Sequence, residues 1–167
     1  MDETSVETVP CRPAGVHAAT SARMSRQKRK DTAPEMELRR ALYRRGSRYR
    51  VNRPLEGMPR RRADVTFVGA KVVVFVDGCF WHRCPVHGTA PVNNGAWWEH
   101  KLSGNVARDR DTDTRLREAG WAVLRFWEHE DMEAAASEVE RVLRERRLAR
   151  GRTGRVRKPE SPVRGPR

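Results

Sequence analysis

Residues 72–87 read VVVFVDGCFWHRCPVH, a short apolar run followed by a loop of metal-binding and aromatic side chains. The run Val72–Val76 is apolar at every position, which is typical of a central β-strand covered on both faces. The loop holds Cys79, Cys84 and His87 within nine residues, and thiolate sulfur and imidazole nitrogen are ligands that Zn²⁺ prefers. The stretch therefore predicts a buried strand that leads directly into a metal-binding loop.

The sequence on both sides of this stretch predicts alternating helices and strands. The expected elements are a helix over 33–45, a short strand at 49–51, a loop over 52–62, strands over 63–68 and 71–76, a helix over 97–119, a strand over 121–127 and a helix over 131–148. Asp31 or Thr32 can cap the first helix and Gly46 can end it. We expect Gly69-Ala70 to form a two-residue hairpin connection and Ser103-Gly104 to break the long helix. This order indicates a mixed α/β sheet with helices on its faces.

Positive charge is concentrated in two segments of the chain. The 167 residues carry a formal net charge of +13: residues 21–60 contribute +9, residues 144–167 contribute +8 and residues 1–20 contribute −2. Residues 61–143 carry net −2, so the expected core is nearly neutral. Clustered basic side chains favour a nucleic-acid partner, because each neutralised phosphate releases a counterion. For 144–167 a merely solubilising tail is the alternative.

Length and composition favour one domain with extensions. We expect a disordered extension over residues 1–20, a domain over 21–148 in which 21–32 form a basic arm, and a basic disordered tail over 149–167. No apolar run approaches the ~20 residues that span a bilayer. Two of the three cysteines lie in the metal-binding loop, which fits a reducing compartment better than a disulfide scaffold. We therefore expect a cytoplasmic monomer.

Asp64 stands at the start of a predicted strand, beside the buried hairpin. A carboxylate in this place is suited to Mg²⁺, which takes oxygen ligands and usually needs only one or two carboxylates besides phosphate and water. The alternative is a turn aspartate that happens to begin a strand.

At this point the chain resembles the very short patch repair (Vsr) family of DNA mismatch endonucleases. The resemblance runs from about Ser21 to about His129, and its most specific motif is the string DGCFWH at residues 77–82. Further matching positions are Met24-Ser25, residues 31–35, Leu38-Arg39, residues 49–51, residues 62–64, Trp97-Trp98, Lys101, Asn105, residues 108–111 and residues 120–128. The resemblance implies a restriction-endonuclease-like mixed sheet flanked by helices, with a structural zinc site.

The same resemblance implies an activity and a partner. The family nicks one strand of duplex DNA 5′ to the thymine of a T:G mismatch in a Mg²⁺-dependent reaction that begins repair. Double-stranded DNA is thus the expected substrate, and mismatch-repair proteins are expected partners. Two other functions stay open: a related restriction or defence nuclease with the same core, and a non-catalytic, zinc-stapled DNA-binding module.

Site residues follow from the resemblance position by position. Asp64 matches the metal-binding aspartate, and Val76 matches a residue whose backbone carbonyl faces the metal. His82 matches the histidine that activates water, Asp109 matches its acidic helper, and Glu35 matches a glutamate near the active site. A histidine that titrates near neutrality can accept the proton of an attacking water. The alternative for His82 is a zinc ligand.

Several residues are expected to contact DNA. Phe80, Trp81 and Trp98 match aromatics that wedge into the base stack beside the mismatch, and packing is the alternative for these three. Lys101 and Asn105 match positions near the mismatch. The basic arm adds the candidates Arg23, Met24 and Arg26.

The zinc site needs four ligands, and three of them lie in the loop. The expected set is Cys79, Cys84, His87 and His129, the last at a place where the family usually has cysteine. For His129 an ordinary exposed histidine is the alternative, and His100 is a weak rival ligand. The chain departs from the family at Ala63, where proline is frequent, and at Asp77, where the well-known member has histidine. The role of Asp77 is left open by the sequence.

Overall fold

A four-stranded mixed sheet carries the fold in the computed structural model, which describes residues 30–89 and 91–153. Its elements, in chain order, are α1 (Ala33–Arg44), β1 (Arg50–Leu55), β2 (Met58–Phe67), a 3₁₀ turn (Val68–Ala70), β3 (Val72–Asp77), α2 (Gly95–Glu118), β4 (Ala122–Trp127) and α3 (Met132–Thr153). The strand order is β1-β2-β3-β4, with β1–β2 and β2–β3 antiparallel and β3–β4 parallel. The predicted mixed α/β sheet is confirmed.

The apolar run of β3 lies at the centre of the sheet, between β2 and β4. Val72, Val73 and Val74 are at most 1% exposed, because helices cover both faces. Helices α1 and α3 pack on one face, where Leu38 and Leu42 join the core. Helix α2 covers the other face and connects β3 to its parallel neighbour β4, as a parallel pair requires a long crossover. The carboxyl ends of β3 and β4 therefore meet at one edge.

The expected loop over 52–62 is wrong, because this segment forms a hairpin. Strand β1 continues to Leu55, Glu56-Gly57 make the turn, and β2 begins at Met58. Gly57 has φ +70°, a backbone conformation that favours glycine. Pro54 lies on the outer strand next to a register shift, where a missing N–H does not break the ladder. Proline, glycine and arginine thus mark an irregular edge hairpin here.

Two connections also differ from the sequence prediction. Residues 68–70 form a 3₁₀ turn and Lys71 has φ +51°, so β2 and β3 are not joined by a two-residue hairpin turn. Helix α2 is continuous through Ser103-Gly104, since one exposed glycine in a helix costs only about 1 kcal/mol. Helix α1 begins after Thr32 and is followed by Gly46 at φ +74°, as expected, but no side-chain hydrogen bond caps its first turn at Thr32, so the predicted cap is wrong.

Both ends of the chain lie largely outside the described residues. The predicted extension over 1–20, most of the predicted arm over 21–32 and the predicted tail beyond 153 lie outside the described residues. Helix α3 runs to Thr153, past the expected end near 148, and Asp131 caps it by accepting hydrogen bonds from the Glu133 and Ala134 N–H groups. Across the described ranges, no helix is long and apolar enough to cross a membrane.

Thr66 offers a test of the core. Its hydroxyl is buried and has no hydrogen-bond partner among the described residues. A buried polar group without a partner costs roughly 1–3 kcal/mol, so we expect Thr66→Val to raise the free energy of unfolding by about 1 kcal/mol in urea denaturation.

Thr112 is the matched control for this measurement. It is also buried, but its hydroxyl donates to the Arg108 carbonyl at 2.6 Å and accepts from Arg61 at 2.8 Å. Thr112→Val should therefore lower the free energy of unfolding. Destabilisation by both substitutions would show that Thr66 has a partner after all.

Candidate active site and metal centre

Asp64 lies where β2 and β3 part. The two strands pair from Phe67↔Val72 to Val65↔Val74, and beyond that pair the Asp64 Oδ2 accepts a hydrogen bond from the Val76 N–H at 2.8 Å. The pKa of the Asp64 carboxyl is raised to about 6, mainly by burial and also by the charges of Glu35 and Asp77, which together outweigh the lowering by the Val76 N–H and Arg39. Among the described residues, no Lys, Arg or His forms an ion pair with Asp64. A hard cation suits such a carboxylate, which fits the predicted Mg²⁺ ligand.

Glu35 approaches this carboxylate from α1. It is 5% exposed, and its Oε2 accepts hydrogen bonds from Arg39 Nη2 at 3.1 Å and from the Asp31 N–H at 2.9 Å. The Thr32 hydroxyl donates to Glu35 Oε1 at 2.9 Å instead of capping the helix backbone. Glu35 is thus held firmly at the start of the helix. Arg39, which holds it, was not predicted as a site residue, because Arg40, Arg44 and Arg45 of the same segment are equally basic.

His82 is paired with Asp109 from α2. The distance between His82 Nδ1 and Asp109 Oδ2 is 2.5 Å, and Asp77 Oδ1 lies 3.8 Å from the same nitrogen. Burial lowers the pKa of His82, but the hydrogen bond to Asp109 and the charges of Asp77 and Asp109 raise it by more. With the carboxylate accepting from Nδ1, the other ring nitrogen, Nε2, carries the lone pair. The pairing gives His82 the arrangement of a proton acceptor and sets it apart from the zinc ligands.

Arg125 of β4 joins these acids and was not predicted as a site residue. Its Nη1 donates to both carboxylate oxygens of Asp77 at 2.8 Å, and its Nε donates to Asp113 Oδ1 at 3.0 Å. Its Nη2 lies 3.7 Å from Asp109 Oδ1. The one signal in the sequence is a charged residue inside the otherwise apolar strand AVLRFW. Asp77, whose role the sequence left open, is engaged by this arginine.

The four predicted zinc ligands come together. The ligand atoms of Cys79, Cys84, His87 and His129 all lie within 4.8 Å of one another. His129 Nδ1 is 3.0 Å from Cys79 Sγ and 3.9 Å from Cys84 Sγ, whereas the exposed His100 does not belong to this group. Two thiols and two imidazoles at this separation fit a tetrahedral Zn²⁺.

Backbone and side-chain contacts shape the metal loop. Cys84 N–H donates to Cys79 O at 2.9 Å, and Gly88 N–H donates to Cys84 O at 2.8 Å. A Cβ on Gly88 would lie 2.4 Å from Cys84 O, so glycine is required there. Glu128 Oε1 accepts from the Cys79 N–H at 2.7 Å. Burial raises the pKa of the Cys79 thiol to about 11, so a metal must displace a proton to bind the thiolate.

An aromatic cluster lies next to His82. Phe80 lies 5.1 Å from Trp81 and 5.3 Å from Trp98 between ring centroids, and Trp97 lies 4.8 Å from Trp98. All four side chains are half-buried. Trp97 belongs to the cluster because its ring contacts Trp98, and Lys101 Nζ lies 5.3 Å from the centre of the Trp97 ring.

The remaining predicted residues are placed in two ways. Asn105 Nδ2 donates to the Trp81 carbonyl at 3.1 Å, which fastens the aromatic loop to α2. Arg23, Met24 and Arg26 lie outside the described residues.

Comparison with known proteins gives consistent matches. The family model of DNA mismatch endonuclease Vsr matches residues 16–87. The type II nicking enzyme V.NaeI of Lentzea aerocolonigenes is 45% identical over 130 residues, which cover 76% of this chain and 78% of that protein. The type II nicking enzyme V.NmeDIP of Neisseria meningitidis serogroup C is 36% identical over 126 residues, covering 71% and 80%.

A further relative carries the family name. The DNA mismatch endonuclease Vsr of Escherichia coli (strain K12) is 37% identical over 120 residues, which cover 69% of this chain and 74% of that protein. Agreement over most of both lengths, together with the family match, identifies this chain as a DNA endonuclease: it belongs to the Vsr family of DNA mismatch endonucleases.

Proposed function

We propose that this endonuclease nicks one strand of duplex DNA 5′ to the thymine of a T:G mismatch in a Mg²⁺-dependent reaction. The observation that carries the proposal is the position of Asp77, whose charge acts on Asp64 and whose carboxylate lies 3.8 Å from His82. A metal-ligand candidate and a proton acceptor thus have a common neighbour and belong to one site. This arrangement matches the needs of phosphodiester hydrolysis.

Each side chain has a part in the proposed reaction. Asp64 and the Val76 carbonyl would hold the divalent cation, which, when bound, supplies charge neutralisation at the phosphate. His82 Nε2 accepts a proton from the water that attacks phosphorus. Asp109 keeps the imidazole in the required orientation and stabilises its protonated form. Glu35 adds negative charge beside Asp64 and strengthens its preference for a cation.

The aromatic cluster supports recognition of a mismatch. Phe80, Trp81 and Trp98 present half-buried rings beside His82, with Lys101 and Asn105 on the adjacent helix. Apolar wedges unstack a base step at a cost of a few kcal/mol, which is lowest where the pair is already faulty. Wedging would therefore direct the nick to mismatched sites. The names of the relatives as type II nicking enzymes also favour a second candidate, a related restriction or defence nuclease.

The architecture supports the rest of the proposal. A mixed sheet with Asp64 at the fork of β2 and β3, flanked by helices, fits a restriction-endonuclease-like core. We place the endonuclease domain at residues 21–148, with a basic DNA-binding arm at 21–32, and helix α3 extends past the end of this domain to Thr153. A Zn²⁺ on the four Cys/His ligands would have a structural role and leave the chemistry to His82.

The β1–β2 hairpin supplies unpaired positive charge for the DNA backbone. Arg50, Arg53 and Arg60 are exposed, and none forms an ion pair with a carboxylate in the described part of the chain. The pairs Val51↔Val65 and Arg53↔Ala63 bracket Asp64, so Arg53 lies one strand spacing from the active-site edge. These arginines are thus suited to phosphates on either side of the cut.

Substitution of Asp64 should abolish nicking without abolishing DNA binding. Asp64→Asn is expected to lower Mg²⁺-dependent nicking of a T:G duplex by at least about 10²-fold while DNA binding survives. Matched duplex and EDTA are the controls for the wild-type protein. Equal cutting of matched and mismatched duplexes would favour the restriction or defence nuclease, and no cutting at all would favour a DNA-binding module.

The pH dependence of stability tests the same carboxyl. Its pKa of about 6 lies above the ordinary 3.8, so its charge costs stability above pH 6 and costs nothing below about pH 4. In EDTA, Asp64→Asn should therefore raise the free energy of unfolding by roughly 1–3 kcal/mol at pH 8, and this gain should fade as the pH falls toward 4. A destabilised variant at pH 8 would contradict the burial of a charged Asp64.

Zinc should be bound in a ratio of about one ion per chain. Cys84→Ser is expected to lose the metal and to lower the thermal midpoint, whereas His100→Gln, outside the ligand group, should keep both. Metal analysis and thermal unfolding of the purified proteins measure these effects. A zinc-free wild-type protein with full activity would disprove the zinc assignment.

Salt dependence of DNA binding tests the hairpin. The variant with Arg50→Gln and Arg53→Gln should reduce the slope of log K against log salt by about 2, since each phosphate contact contributes about 0.9. Arg115→Gln with Arg117→Gln changes the net charge equally, but both arginines are paired with aspartates on α2, so the slope should stay. Equal slopes for both variants would leave the hairpin arginines only a role in protecting a free sheet edge.

A further inference from the structure

Arg125 is the one side chain that contacts all three aspartates in this part of the described structure. Asp77 ends β3, while Asp109 and Asp113 lie one turn apart on α2. The guanidinium reaches them through different nitrogens, at 2.8 Å to Asp77, 3.0 Å to Asp113 and 3.7 Å to Asp109. Its carbon lies 4.4 Å from the centre of the Phe75 ring, which fixes the plane of the group. Arg125 therefore ties the end of β3 to α2.

His82 depends on the two acids that Arg125 holds. The two carboxylate oxygens of Asp109 contact different residues: Oδ2 lies 2.5 Å from His82 Nδ1, and Oδ1 lies 3.7 Å from Arg125 Nη2. The Asp77 Oδ1 lies 3.8 Å from the same nitrogen. Without the guanidinium, the like charges of the aspartates would repel one another and Asp109 could turn away from the imidazole.

A cavity lies beside His82 and the acids that surround it. A cavity of about 230 Å³ is lined by His82, Asp77, Asp109, Arg125 and Trp127, among others. The Arg125 side chain is 22% exposed, and its donors face the aspartates. The acids thus engage the Arg125 donors, whereas the cavity leaves room beside the imidazole for a water molecule.

We propose that Arg125 is a positioning residue for strand nicking, which holds Asp77 and Asp109 so that Asp109 orients the His82 imidazole. The proposal rests on the proposed function of His82 as the proton acceptor. It also explains why an acid stands at position 77, because the Asp77 carboxylate anchors the guanidinium from β3. A lysine could not replace this arginine fully, because an ammonium is a point charge and lacks the planar fork that reaches three carboxylates.

Single-turnover nicking with saturating protein and Mg²⁺ tests the proposal. Arg125→Met should lower the nicking rate constant on the order of 10²-fold, while the Kd for the same T:G duplex stays unchanged. Arg125→Lys should recover part of the rate. The matched control is Arg117→Met, which removes an exposed arginine that contacts Asp113 alone among these aspartates and should nick at the wild-type rate.

A double-mutant cycle separates positioning from general support of the fold. Asp109→Asn combined with Arg125→Met should cost little more than either change alone, because both act through the same imidazole. Additive losses, a wild-type rate in Arg125→Met, or a rate loss matched by a rise in Kd would each overturn the proposal. Where Arg125→Met does not fold, the rate of Arg125→Lys and its coupling to Asp109→Asn decide in the same way.

His82→Gln distinguishes this proposal from the proposed function. If His82→Gln nicks normally, the imidazole is not the proton acceptor and both ideas fail. If His82→Gln is inactive while Arg125→Met is as fast as the wild type, the proposed function stands and the positioning role of Arg125 is disproved.

Discussion

The crowding of carboxylates at one edge of the sheet is the constraint on which this site depends. Buried acids are tolerated when a cation or donor compensates each of them. Arg39 compensates Glu35, and Arg125 compensates Asp77 and shares Asp109 with His82. Asp64 differs, since the hydrogen bond identified for it comes from the Val76 backbone. The protein thus balances its other acids internally and leaves Asp64 to an external cation, in keeping with the proposed Mg²⁺ site.

Parallel pairing of β3 and β4 explains why the Cys/His group and the acids around His82 lie at the same edge of the sheet. Asp77 pairs with Trp127, so Cys79 and His129 each stand two residues beyond the same rung of the ladder. The register alone brings a thiol and an imidazole 50 positions apart in sequence to 3.0 Å. A metal here would fasten the loop to β4, and the loop carries His82 and two of the aromatic rings. The zinc ligands would therefore serve the nuclease by fixing where that loop begins.

What the sequence allowed us to predict depended on how local each signal is. The central strand and the first helix follow from apolar runs and caps, and the pairing of His82 with Asp109 and the zinc set follow from motifs shared with a family. The hairpin over 50–67 was missed, because proline and glycine near an edge strand resemble a loop. Arg39 and Arg125 were missed for another reason. In a chain with 35 basic residues, sequence spacing does not show which of them meet acids from other elements.

The same pairing pattern decides how the net charge of +13 acts outside the molecule. On α2 and α3, several arginines are matched by acids one turn away, as in Arg115–Asp111 and Arg141–Glu145. Such pairs neutralise each other locally and add little to the field at a distance. Arg50, Arg53 and Arg60 of the hairpin lack such partners among the described residues, so they add positive charge beside the Asp64 edge. These charges would attract a polyanion to the side of the protein where we propose that its phosphates are cut.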